Sequence, residues 1–132
     1  MPSMTVEVVS PEEVLYSGET TMVITRTIGG GEIAFQPGHC AFLGALQECH
    51  TRIFLADGSV EDIAVHGGFV EVSNNKVSIL SDAAELGSLV DIGRARAAKE
   101  QAEQRLRHEH DAEAVSALSR AHARLNAAGV SF

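Results

Sequence analysis

Residues 31–46 read GEIAFQPGHCAFLGAL and contain the clearest fold signal in the chain. Apolar runs at 32–35 and 40–46 enclose the corner Pro37-Gly38-His39. Proline fixes φ and glycine accepts a positive φ, so a sharp bend is encoded locally. The segment therefore predicts two buried strands joined by a tight corner.

Strand signals recur through the first 90 residues. Short β-branched and aromatic runs predict further strands at 5–9, 14–17, 20–27, 51–55, 60–65, 69–73 and 76–80. Asp57-Gly58 predicts a hairpin turn, and Gly67-Gly68 and Asn74-Asn75 predict two more turns. Eight or more short strands separated by frequent turns predict a compact β-sandwich.

Residues 91–132 differ in composition, with eleven alanines and a single aromatic residue, Phe132. The apolar period there changes from 2 to about 3.6 residues. Two alanine-rich stripes result, Ile92, Ala95, Ala98, Ala102, Leu106 and then Ala114, Leu118, Ala121, Leu125, Ala128. Asp91 and Asp111 precede the stripes as N-cap residues. We therefore predict an N-terminal β-sandwich over residues 1–86 and a C-terminal antiparallel two-helix hairpin over residues 87–132.

The predicted hairpin buries little apolar area, because its stripes are mostly alanine. Such a hairpin is marginally stable alone and needs a surface on which to dock. Because the docking surface can change, the hairpin is suited to work as a switch.

Charge and composition limit the possible partners. The net charge of −8 divides unevenly, with 3 Lys or Arg against 12 Asp or Glu in residues 1–90 and 7 against 6 in residues 91–132. An acidic body without a basic stripe repels nucleic acid. The sequence shows no apolar run of the roughly 20 residues that cross a bilayer and no export signal, so we expect a soluble protein without direct membrane insertion. Its two cysteines are expected to be free thiols.

Catalytic and metal motifs are weak. The sequence has no nucleophile elbow, metalloprotease motif or phosphate-binding glycine loop with a lysine. His39-Cys40 and Cys49-His50 form a mirrored pair that contains zinc-type ligands. Adjacent side chains of a strand point to opposite faces, which favours structural thiols over a zinc site. We also interpret His66 as a residue at a strand end.

Four charged residues of the hairpin form a better constellation. Asp91 and Arg94 are three apart and Arg120 and Arg124 four apart, so each pair shares a helical face. An antiparallel hairpin places the start of its first helix beside the end of its second, which predicts that all four meet. Guanidinium groups suit phosphate recognition. The alternative is a solvated face with weak salt bridges.

Three stretches carry a family resemblance. The corner at 37–39, the run AVHGGFVEVSNNKVSIL at 64–80 and the run VDIGRA at 90–95 resemble the epsilon subunits of rotary ATP synthases. This chain departs from the family pattern at Ala34, Gln36, Ala41 and Val90. The resemblance implies a non-catalytic subunit of the rotating central stalk, which couples proton flow to ATP synthesis.

The resemblance also implies partners and a location for the sandwich. It would bind the gamma subunit and sit on the c-ring, at the cytoplasmic or stromal face of an energy-coupling membrane. The expected contact loop contains Glu32, Pro37, Gly38 and His39.

For the hairpin, the resemblance implies two functions. The VDIGRA run is similar to the family's ATP-binding motif, which implies that regulatory ATP binds the hairpin. The expected binding residues are Asp91, Arg94, Ala95, Arg120 and Arg124. The resemblance implies no required cofactor. The extended hairpin would also insert basic side chains toward acidic surfaces of the alpha/beta catalytic hexamer and inhibit ATP hydrolysis. The expected inhibitory residues are Arg105, Arg107, Arg120 and Arg124. The rival hypotheses are a freestanding nucleotide-sensing module and a zinc-binding sandwich protein.

Overall fold

A computed structural model describes residues 3–130, so Phe132 lies outside the described residues. Within that range the strands are β1 Met4–Val9, β2 Val14–Thr20, β3 Met22–Thr27, β4 Gly31–Phe35, β5 Phe42–Phe54, β6 Val60–Ser73, β7 Lys76–Ser81 and β8 Ala84–Leu86. A 3₁₀ turn at Gly87–Leu89 leads into the helices α1 Ile92–His108 and α2 Ala112–Ala127. The prediction of a β-sandwich followed by a helical hairpin is confirmed.

The sandwich is built from a sheet with the strand order β2-β1-β7-β6-β5-β3-β4, in which β8 also pairs with β6. β1 runs parallel to β7, whereas the other pairs are antiparallel. Strands β5 and β6 are 13 and 14 residues long, and they pair along almost their whole length. Long strands that bend can pass from one layer of a sandwich to the other.

The predicted turn at Gly67-Gly68 is wrong, because β6 continues through both glycines. Their φ angles are 78° and 114°, which makes them a bend inside the strand. A Cβ on Gly68 would come within 2.8 Å of the Ser81 Cα, so β7 passes too close for any larger residue. The runs predicted as separate strands at 60–65 and 69–73 are therefore parts of the single strand β6. Likewise, the runs predicted at 40–46 and 51–55 belong to the single strand β5.

The segment 31–46 is only half buried, in contrast to the prediction of two buried strands. Phe35 and Leu46 face the core, whereas Glu32 and Ala34 are exposed. A strand has one inward face because its side chains alternate, and here the outward positions face solvent. Strand β2 also runs through Gly18, where it was predicted to end, because that glycine pairs with Val6 in the ladder.

The core lies between the two layers of the sandwich. Its members are Met4, Val6, Val8, Val23, Phe35, Leu46, Cys49, Ile53, Ile63, Val65, Val70, Val72, Val77 and Ile79. All of them precede the helices, so the sandwich encloses its own hydrophobic core without the hairpin.

Both helices begin at the predicted N-caps. The Asp91 carboxylate accepts a hydrogen bond of 3.0 Å from the Arg94 amide. The Asp111 carboxylate accepts bonds from the Glu113 and Ala114 amides, at 2.9 and 3.3 Å, and also pairs with Arg105. Partial desolvation opposes ionisation of Asp111, but these donors outweigh it and lower its pKa. Among residues 3–130 neither helix is long and apolar enough to span a membrane.

Helix α2 docks the hairpin on the sandwich, since it packs against α1 and also against β5 and β6. Ala114, Ala121 and Leu125 of the predicted stripe are completely buried. Ala123 and Ala127 are buried too, although they belong to a second face that the single predicted stripe omitted. Small residues on both faces let α2 approach two surfaces closely.

The backbone at Gly87 lies very close to the end of helix α2. A Cβ on this residue would lie 2.8 Å from the carbonyl carbon of Ala127, near the end of α2. We therefore predict that Gly87→Ala displaces α2 and destabilises docking by about 1–3 kcal/mol, the usual cost of overpacking. Faster backbone amide exchange in α2 would report the displacement.

Gly93→Ala is the matched control for that experiment. A Cβ on Gly93 would meet only the Asp91 side chain, at 3.7 Å. The Gly93→Ala change should leave docking intact and favour helix α1. Equal exchange in the two variants would contradict the close approach at Gly87.

Candidate functional site

A cleft of about 370 Å³ lies where the hairpin meets the sandwich. The start of α1, the end of α2 and the strand β8 surround it. Its walls consist of Glu85, Leu89, Asp91, Arg94, Ala95, Ala98 and Arg124. Four of the five residues predicted to bind nucleotide therefore share one cleft.

The antiparallel arrangement of the helices explains which residues meet. Asp91 and Arg94 occupy the first turn of α1, and Arg124 lies in the last turn of α2. Arg120 does not line the cleft and instead donates a hydrogen bond of 3.0 Å to Glu113. Arg120 is four positions before Arg124, which places it about 6 Å farther along the helix axis. The prediction that all four charged residues meet is wrong for Arg120.

The side chains of the cleft are suited to binding and not to bond-making chemistry. Arg94 and Arg124 supply planar guanidinium groups, which match phosphate oxygens. Glu85 and Asp91 supply carboxylate acceptors for hydroxyl or amino groups. The described lining contains no serine, cysteine or histidine as a nucleophile or base.

Arg124 also ties the hairpin to the sandwich. Its Nε donates to Oε1 of Glu85, which belongs to β8. The same carboxylate oxygen lies 3.4 Å from Nε2 of His66, and Nδ1 of His66 lies 2.8 Å from Glu48. His66 is thus a buried residue in the middle of β6, and its interpretation as a strand-end residue is wrong. Only the strand register reveals this network.

The predicted contact loop divides into two parts with different neighbours. The Gly38 amide donates to the Asn75 side chain at 3.0 Å, and the His39 ring packs edge-on against Phe35 at 5.0 Å. Glu32 instead faces Arg26 and Arg52, at 3.8 and 3.7 Å. Gly38 has φ 86°, which confirms the corner.

The predicted inhibitory arginines are mostly occupied by intramolecular partners. Arg105 pairs with Asp111, Arg120 with Glu113 and Arg124 with Glu85. Arg107 is exposed and borders a shallow groove of α1 beside Leu125. The docked hairpin therefore holds three of the four in ion pairs.

The mirrored His-Cys pairs lie in separate surroundings. The Cys49 sulfur is buried beside the Thr25 and Thr51 hydroxyls, whereas Cys40 is exposed. His50 bonds to Asp62 at 2.7 Å. Across residues 3–130, no three histidine, cysteine or carboxylate side chains converge as metal ligands.

An apolar row crosses the outer face of the sandwich, and sequence reasoning missed it. The register aligns Ala45, Phe69, Leu80, Val9 and Val14 across five neighbouring strands. Val14, Phe69 and Leu80 remain 55%, 55% and 51% exposed. Exposed apolar patches of this kind mark interaction surfaces. The row becomes visible only when the strand pairing is known.

Comparison with known proteins gives consistent matches. The family model described as "ATP synthase, Delta/Epsilon chain, beta-sandwich domain" matches residues 3–87, and the model for the long alpha-helix domain of the same chain matches residues 90–129. An ATP synthase epsilon chain of Desulfitobacterium hafniense is 45% identical over 129 residues, covering 96% of each chain. One of Brevibacillus brevis is 46% identical over 106 residues, covering 80% of each chain.

A solved structure has the same fold. A chain in the Euglena gracilis mitochondrial ATP synthase structure, OSCP/F1/c-ring in rotational state 1, aligns with a TM-score of 0.83 at 20% identity. The alignment covers 97% of this chain and 82% of the Euglena chain.

Proposed function

Because the chain belongs to the delta/epsilon family of ATP synthase subunits, we propose that it is a central-stalk subunit whose helical hairpin senses ATP and restrains ATP hydrolysis. The observation that carries the proposal is the way in which the hairpin docks. A few small side chains and the Arg124–Glu85 pair attach it to a sandwich that has its own core. Such a hairpin can leave its surface without unfolding the body.

ATP is the ligand that suits the cleft. The triphosphate would engage the Arg94 and Arg124 guanidinium groups, which lie on different helices. A ligand that contacts both helices and Glu85 of β8 binds the docked hairpin and not the released one. By mass action it stabilises the docked form, so ATP acts here as a regulatory ligand and not as a substrate.

The arginine ion pairs support a link between docking and inhibition. In the docked hairpin Arg124 is bound to Glu85 of the sandwich, whereas Arg105 and Arg120 pair with Asp111 and Glu113 inside the hairpin. Release from the sandwich separates Arg124 from Glu85 and exposes the inner face of α2. The released hairpin would then offer the freed Arg124, together with the exposed Arg107, to the acidic surface of the alpha/beta catalytic hexamer.

The sandwich supplies the permanent attachments in this proposal. The apolar row through Phe69 and Leu80 is a suitable gamma-subunit contact, because it crosses five strands and its largest side chains are exposed. The corner at Pro37, Gly38 and His39 would face the c-ring. Glu32, which lies apart from the corner, would also contact the c-ring. These contacts would place the subunit peripherally on the cytoplasmic or stromal face of the membrane.

Removing the hairpin tests the proposal most simply. A complex that contains the chain truncated after Ser88 keeps the sandwich core and loses both helices. We expect ATP hydrolysis to rise about fivefold or more, the lower end of ordinary allosteric coupling. A full-length complex with Glu12→Gln, an exposed glutamate between β1 and β2, serves as the control. Unchanged hydrolysis by the truncated complex would refute the inhibitory function.

Calorimetry with ATP on the isolated full chain tests the cleft. Arg94→Ala and Arg124→Ala should each weaken binding about tenfold or more, because each removes a charged hydrogen-bond donor. Arg120→Ala should have a smaller effect, since Arg120 lies outside the cleft. Arg96→Ala is the matched control, an exposed arginine of α1 that does not line the cleft. Wild-type affinity in both Arg94→Ala and Arg124→Ala would remove the proposed site.

Pull-down with the gamma subunit tests the apolar row. Phe69→Asp places a charge within the row, and burying that charge at an interface is costly. We expect binding to gamma to fall at least about tenfold, the effect of a typical interface hot spot. Val60→Asp is the control, an exposed apolar residue of the same strand outside the row. Equal loss in both variants, or in neither, would contradict the assignment.

A further inference from the structure

Four ionisable side chains form a network of contacts from the sheet to the hairpin. Glu48 on β5, His66 on β6, Glu85 on β8 and Arg124 on α2 follow one another in space. The contacts alternate between carboxylate and nitrogen donor, at 2.8 Å for Glu48 to His66 and 3.4 Å for His66 to Glu85. Glu85 uses the same oxygen, Oε1, for His66 and for Arg124. The sandwich and the hairpin are therefore joined through one carboxylate.

His66 is more deeply buried than the two residues that follow it in this network. Its side chain is only 5% exposed, whereas those of Glu85 and Arg124 are 33% and 34% exposed. Its backbone amide donates to the Ala83 carbonyl at 2.8 Å, which ties it to the strand that carries Glu85. In the ladder Glu85 is opposite Ala64, so Glu85 and His66 are diagonal neighbours on one face.

We propose that His66 is a positioning residue for the hairpin, which holds the Glu85 carboxylate where Arg124 can reach it. The inference rests on the proposed function, because it concerns the docked hairpin and its cleft. A half-exposed glutamate side chain has several rotamers, and fixing one of them costs entropy. A rigid imidazole between Glu48 and Glu85 removes that cost from the docking step. Arg124 then meets an acceptor that is already oriented.

Both nitrogens of the His66 ring are used, which explains why the imidazole suits this position. Nδ1 of the ring faces Glu48 and Nε2 faces Glu85, so one rigid ring contacts both carboxylates. Without the imidazole, Glu48 and Glu85 lose the ring that holds both carboxylates in place. Glu85 is then expected to turn toward solvent and leave Arg124 without its oriented partner.

A double-mutant cycle read by backbone amide exchange in α2 tests the proposal on the isolated full chain. His66→Gln and Arg124→Gln should each speed exchange by about tenfold, since each removes a hydrogen bond to a charged group. The double variant should exchange no faster than the faster single variant, because both changes break the same connection through Glu85. His66 and Arg124 share Glu85 as a partner, so only a connection through Glu85 predicts this result.

His39→Gln is the matched control, since the His39 ring contacts Phe35 and the Cys40 carbonyl at the corner of the sandwich. It should leave α2 exchange unchanged and be additive with Arg124→Gln. Glu85→Gln tests the same connection at a half-buried position, in case His66→Gln fails to fold, and should also speed exchange in α2.

Additive effects of His66→Gln and Arg124→Gln would overturn the proposal, as would wild-type exchange in Glu85→Gln. The outcome is separable from that of the proposed function. If truncation leaves hydrolysis unchanged while the cycle shows coupling through Glu85, the regulatory function fails and the positioning role of His66 stands.

Discussion

The contact between α2 and the sandwich is the constraint on which the rest of the molecule depends. It is made by the backbone of Gly87, by small side chains such as Ala123 and Ala127, and by the Arg124–Glu85 pair. Alanine permits close packing but contributes little apolar area, so the contact is geometrically specific and energetically modest. A hairpin attached in this way is ordered when docked, yet it can be released by a small change in free energy.

Strand β6 connects the features that matter for function. Its bend at Gly67-Gly68 carries the strand between the two layers, and His66 lies directly before that bend. Farther along, Phe69 contributes to the exposed apolar row. One strand therefore joins the body's core, its outer contact face and the network that reaches the hairpin. A rigid body of this kind lets a weakly held hairpin move without disturbing the permanent contacts.

Local signals predicted the elements well, whereas contacts distant in sequence were beyond them. Asp91 and Asp111 were identified as N-caps because a cap acts within three residues. Gly67-Gly68 was misread because a positive φ serves a turn and a strand bend equally well, and only the neighbouring Leu80-Ser81 backbone distinguishes them. Arg120 was misplaced because its residue spacing gave the helical face but not the distance along the axis. The role of His66 depends on strand register, which the sequence alone does not specify.

Pulsed EPR between spin labels at Ala56 and Ser116, in a Cys40→Ser background, measures hairpin release directly. Both positions are exposed, and Ala56 lies on the sandwich whereas Ser116 lies on helix α2. The account predicts one narrow distance for the isolated chain with ATP and a second, displaced population in the assembled complex without nucleotide. A single unchanged distance under both conditions would contradict a hairpin that leaves the sandwich.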